Sequence, residues 1–138
     1  MATTSYKVLE SFKNGTVLIE EWDNGIICFK MDDYSEMQLE DSMYQFNYLQ
    51  SKFDGIHKLK LLSEPGKFAT ISKEAREFST RPENNLATLA SAVVVSSLAQ
   101  RILINFIINM TQKQSLKMKI FDNRDKAIDW LLSLKQTA

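Results

Sequence analysis

Two hydroxyls, Thr70 and Ser72, stand where a loop runs into a helix in Thr70-Ile71-Ser72-Lys73-Glu74-Ala75-Arg76. A phosphate on either one would meet unpaired backbone amides and partial positive charge, so both residues are candidates for phosphorylation or anion binding. Ser72 also reads as a plain N-cap, a role in which serine is strongly preferred. Ser96-Ser97 occupies a comparable place after a strand, and Ser97 with Gln100 fits a capping box. Open α/β sheets bind ligands in crevices outside the carboxyl ends of their strands, which is where this second pair would fall.

Little else in the chain advertises chemistry. His57 has no cysteine or second histidine near it, so metal-ligand spacing is missing and neither a metal nor a cofactor is expected. The four glycines form no phosphate cradle, and no Gly-x-Ser-x-Gly elbow occurs. Adjacent carboxylates, Glu20-Glu21 and Asp32-Asp33, read as solvated groups. The expectation is a protein without catalytic activity. Cys28, the only cysteine, lies in the apolar run Ile26-Ile27-Cys28-Phe29 and reads as a small buried hydrophobe.

Charge narrows the partners. Seventeen basic and seventeen acidic side chains cancel, leaving no overall field to gather nucleic acid. The stretch from Leu86 to Met110 is apolar, yet it contains Ser91, Ser96, Ser97, Gln100, Arg101 and Asn105. An arginine near the centre of a membrane span costs about 2.5 to 3.5 kcal/mol, so no span is expected there. The opening Met1-Ala2-Thr3-Thr4-Ser5 lacks the pattern of a secretory signal, and with the lone thiol it points to the cytoplasm.

The elements that must position these residues follow from turns and periodicity. Asn14-Gly15 and Asn24-Gly25 separate three short runs, Tyr6 to Phe12, Thr16 to Trp22 and Ile26 to Met31, which predicts a β-meander. A polar loop over 32–38 follows. Leu39, Met43, Phe46, Leu49 and Phe53 then recur at helical spacing, with Gly55 as the stop and Tyr44 and Tyr48 covering the edge of the core. Lys58 to Leu62 makes a strand, 63–67 a loop, and a helix from Ser72 turns Ala75 and Phe78 inward and ends before Pro82. Ala87 to Val95 is a strand buried on both faces. A third helix runs from Ser97 to about Met110, Lys117 to Phe121 forms the last strand, and a final helix buries Ala127, Trp130, Leu131 and Leu134. The order βββαβαβαβα implies a single α/β domain, a meander leading into a mixed sheet with parallel βαβ units.

The third helix confines its polar side chains to Arg101, Asn105, Asn109 and Gln112, leaving an apolar arc of roughly 240° where an ordinary surface helix has ~100°. One flank therefore needs a second cover. Leu103, Ile104, Ile107, Ile108 and Met110 are the candidate surface, for a neighbouring helix, an identical subunit or an apolar ligand.

Ile71-Ser72-Lys73-Glu74-Ala75-Arg76-Glu77, Ser96-Ser97-Leu98-Ala99-Gln100-Arg101 with Asn105-Phe106, and Phe121 with Ala127-Ile128-Asp129-Trp130-Leu131 together resemble the STAS-like domains of bacteria, of the anti-sigma-factor-antagonist (SpoIIAA-like) type. The resemblance covers the chain from the third strand onward. It implies a non-enzymatic regulatory or protein-interaction module with an unidentified protein partner, expected as a homodimer. In the best-known branch a serine at the start of the second helix is phosphorylated, and Ser72, then Thr70, lie nearest that position. The chain departs from that branch in reading Thr70-Ile71-Ser72-Lys73 in place of an Asp-Ser-Ser-Gly-like signature. A related branch is similar to lipid-exchange domains, which implies the alternative of an apolar small-molecule carrier.

Overall fold

The computed structural model describes residues 5–136 apart from 113 and 115. β1 (Val8–Asn14), β2 (Val17–Trp22) and β3 (Ile26–Met31) form the expected antiparallel meander. Gly15 and Gly25 take φ of 61° and 90° in its two turns, a region that glycine enters without steric cost. α1 (Leu39–Lys52) leads to β5 (Leu59–Glu64), α2 (Lys73–Ser79) and a short 3-10 turn (Pro82–Asn85) to β7 (Thr88–Val94), and α3 (Leu98–Thr111) to β8 (Lys117–Phe121). α4 (Arg124–Ser133) ends the order. The six-stranded sheet runs β1-β2-β3-β5-β7-β8, parallel from β3 onward.

Two elements carry no sequence signal. β4 (Glu36–Met37) and β6 (Thr70–Ile71) pair in parallel as a separate two-stranded ribbon. Two residues are too few to show a period, so both were expected as loop. Their loops interlock: Lys67 N–H donates to Asp33 Oδ1 at 2.7 Å, and Tyr34 N–H donates to the Lys67 carbonyl at 2.7 Å. Tyr34 and Phe68 each have φ of 58° and stack their exposed rings with centroids 5.4 Å apart.

Successive crossovers stepping the same way across the sheet place their helices on one face, and the packing agrees. Leu49 of α1 clusters with Val17, Ile19, Ile27 and Phe29. Ile104 and Ile107 of α3 cluster with Val93 and Val95. The opposite face belongs to α4, whose Ala127, Ile128 and Leu131 pack on Trp22, Ile26, Cys28, Leu62 and Ala92. Trp130 and Leu134, also expected inward, are half-buried at the edge of that cluster. β7 is buried on both faces, as its run of small and β-branched residues predicts.

α1 is turned differently from the expected stripe. Met43 is exposed, whereas Ser42 and Leu49 are buried, because α1 leans on α2 as well as on the sheet. Ser79 Oγ lies 3.3 Å from Ser42 Oγ, and the Phe46 and Phe78 rings meet edge to face at 5.8 Å. Tyr44 and Tyr48 cover Phe12 of β1, and Tyr48 donates to Glu10 at 3.0 Å.

Candidate functional site

Ser72 caps α2: its Oγ accepts from the Ala75 amide at 3.1 Å, and the residue is half-buried. Thr70 lies two residues earlier on β6 with an exposed side chain. The two hydroxyls thus differ in access, and Ser72 already has a structural task.

Ser97 Oγ caps α3 by accepting from the Gln100 amide at 3.2 Å. The rest of the capping box is displaced by one residue. Gln100 Oε1 accepts from the Ser96 amide at 2.9 Å, and Nε2 donates to the Gly66 carbonyl at 2.7 Å. A buried glutamine therefore ties the start of α3 to the loop before β6.

The arrangement of α3 divides the candidate surface between the sheet side and solvent. Ile104 and Ile107 are buried on the sheet, Leu103 and Ile108 are half-buried beside them, and only Met110 of that set is exposed. The sheet takes the arc centred on Ile104, Ile107 and Thr111. The uncovered apolar flank lies about 150° further round, at 100° per residue. It is a row at intervals of four: Leu98, Ile102, Phe106 and Met110, which are 72, 62, 51 and 44 % exposed. The Arg76 guanidinium of α2 lies over the Phe106 ring, 5.5 Å from its centroid, and joins α2 to this ridge. The spacing of four was legible in the sequence; which flank the sheet would take was not.

Between the α1 and α3 clusters, on the same face of the sheet, lies a cavity of about 210 Å³. Leu61, Ser91 and Met118, paired across β5, β7 and β8, form its floor. Phe46 of α1, Phe78 of α2 and Leu103 of α3 line it from the helix layer. Leu103, Ile104 and Ile107 thus face this cavity from α3, while Ile108 and Met110 are not part of its wall. Sequence reading offered Leu103 and Ile107 for an apolar ligand but missed the rest of the wall, where small residues, Ser42, Ser63, Ser79 and Ser91, come together from separate elements.

The other face holds a locked cluster. Arg124 Nε donates to Glu64 Oε1 at 3.0 Å and Nη2 to the Tyr6 hydroxyl at 2.8 Å, with the guanidinium over the Tyr6 and Trp22 rings. Cys28 Sγ lies 3.4 Å from the same Glu64 oxygen. Burial, then the Glu64 charge, push the thiol far above its ordinary range. Since the thiolate is the reactive form, native protein is expected to leave Ellman's reagent unreacted at pH 8 and to react fully once unfolded in guanidinium. Rapid labelling of folded protein would contradict this burial. His57 is an exposed loop residue, its Nδ1 2.8 Å from Asp54 Oδ2. Among the described residues no group of three or more metal-ligating side chains gathers, and no helix is long and apolar enough to cross a membrane.

This geometry defines the class by fold. The chain resembles the crystal structure of an uncharacterized protein from the DUF3478 family, from Shewanella loihica PV-4, which has a SpoIIAA-like fold. The TM-score is 0.59 and the identity 14 %, over 95 % of this chain and 98 % of the other. The mostly parallel mixed sheet and four helices are thus a SpoIIAA-like fold. More narrowly, the chain belongs to the family described as domain of unknown function DUF7793, whose model matches residues 20–135. No curated protein matches it.

Proposed function

We propose that this domain is a non-enzymatic interaction module that docks through the exposed ridge of α3, first of all with a second copy of itself. The observation carrying this reading is the row Leu98, Ile102, Phe106 and Met110, apolar and solvent-facing on a helix whose other apolar side is satisfied by the sheet. A linear ridge meets its own copy about a two-fold axis, the commonest symmetry of soluble oligomers. Arg76 extends the surface to α2, the helix that Ser72 caps, and a phosphate on Thr70 or Ser72 would add about −1.5 to −2 charges at the start of that helix.

Light scattering coupled to size exclusion tests the reading. The wild type is expected at dimer mass, and the Ile102→Asp, Phe106→Asp double variant at monomer mass with unchanged far-UV circular dichroism and a lower thermal midpoint, since dissociation removes the stability that association adds. A wild type that stays monomeric at millimolar concentration would overturn it.

A second reading, the binding of an apolar small molecule, is favoured by the cavity between the sheet and α1, α2 and α3. Its wall is largely apolar and draws on three helices and the sheet, as ligand sites commonly do.

A further inference from the structure

We infer that the cavity is built for an uncharged ligand about the size of one substituted ring, held by hydrogen bonds from Ser91 and Thr88. This deepens the second reading above and is independent of docking through α3.

Size comes first. A protein cavity of about 150 Å³ accommodates benzene, so 210 Å³ admits a ring with a short substituent but not a long acyl chain enclosed whole. Charge is the next discriminator. Among the described residues that line the cavity none is Asp, Glu, Lys, Arg or His. The cavity is partly open to solvent, so a carboxylate or ammonium seated on its floor would lose part of its hydration without gaining a counter-charge, a cost that favours neutral molecules.

The polar part of the wall then sets the ligand's chemistry. Five of its residues are both polar and buried: Ser42, Thr88, Ser91, Gln100 and Thr111. Three are occupied. Ser42 contacts Ser79, Gln100 bridges Ser96 and Gly66, and Thr111 Oγ1 donates to the Ile107 and Ile108 carbonyls. Thr88 and Ser91, 3 and 7 % exposed, have no side-chain partner among the described residues. Neither oxygen is among the fully buried side-chain atoms left without a partner, so both hydroxyls open onto accessible space, which the cavity supplies. Both belong to β7 and line the cavity, so each offers a hydrogen bond to a ligand hydroxyl, amide or ring N–H placed beside it. Ser91 stands in a floor row between Leu61 and Met118, where a larger apolar side chain would have filled the space.

Calorimetric titration of the full chain with ethylbenzene, 4-ethylphenol and 4-ethylbenzoate at pH 7 tests this. The phenol is expected to bind about three to ten times more tightly than ethylbenzene, the worth of one net hydrogen bond, and the benzoate more weakly than either. Ser91→Ala is expected to shrink the preference for the phenol while ethylbenzene still binds, and Ser91→Leu to abolish binding of both. Should Ser91→Leu not fold, the alanine variant and Thr88→Val decide alone. A benzoate bound as tightly as the phenol, or a phenol preference untouched by Ser91→Ala and Thr88→Val, would overturn the ligand class while sparing the cavity reading. Failure of all three probes would overturn both.

Discussion

Gly66→Ala is expected to destabilise the protein by about 3 kcal/mol or more, lowering the thermal midpoint by roughly 10 °C. The reason is contact, not torsion. Gly66 needs no left-handed backbone, but a Cβ there would lie 2.5 Å from the Met31 carbonyl oxygen and from the Asp32 carbonyl carbon and oxygen. Those are main-chain atoms at the end of β3, and they cannot swing aside as a flexible side chain would. The two loops would have to part, straining the Lys67 to Asp33 and Tyr34 to Lys67 hydrogen bonds that hold the β4–β6 ribbon in place.

The damage would not stay local. The Gly66 carbonyl accepts from buried Gln100, so displacing it leaves an amide at the start of α3 without its partner, a further cost of about 1–3 kcal/mol if no water reaches it. The same loop supplies Pro65, Ala69 and Thr70 to the cavity wall. Chemical denaturation of Gly66→Ala and of Gln100→Leu separates the two contributions. A Gly66→Ala protein as stable as wild type would show that the β3 end and this loop do not approach as described.

How much of this was legible in the sequence depends on how local the cause is. The Asn-Gly turns announce the meander, the small β-branched run announces β7, and the serine caps of α2 and α3 are in place, because each of these signals acts within a few residues. Gly66 was legible only as a loop marker beside Pro65. Its actual role is a close approach to Asp32, thirty-odd residues away in the chain, which no local pattern encodes. The cavity floor has the same origin. Ser91 looks like one polar interruption in an apolar strand until Leu61 and Met118 flank it across the sheet. For α3 the sequence gives the width of the apolar arc but not its orientation on the sheet. Ile104 and Ile107, within the candidate surface, lie against the sheet, and Ile102 and Phe106 of the same arc face solvent.

Trp22→Ala is expected to cost about 3–5 kcal/mol, with a midpoint lower by roughly 10–20 °C, the range for removing a large buried aromatic. Trp22 is buried at the end of β2, stacked on Tyr6 with ring centroids 3.6 Å apart and an interplanar angle of 11°. Its indole Nε1 donates to Glu20 at 3.0 Å, so the ring is fixed at its polar end too. On it rests the guanidinium of Arg124, 5.1 Å from the ring centroid. Arg124 is the first residue of α4, where the helix dipole disfavours a cation by a few tenths of a kcal/mol to about 1 kcal/mol. A base at that position is therefore retained for what it touches: Glu64 at the end of β5, the Tyr6 hydroxyl and the two ring faces. Removing Trp22 takes away the platform under this arginine and part of the surface that α4 covers, so amide exchange should accelerate through the first turn of α4 as well as in β2. Trp22→Phe, which keeps a ring under Arg124 but loses the Glu20 hydrogen bond, is expected to recover more than half of the loss. A Trp22→Ala protein destabilised by less than 1 kcal/mol would mean that α4 is held to the sheet by Ala127, Ile128 and Leu131 alone, and that the Arg124 cluster decorates the fold without closing it.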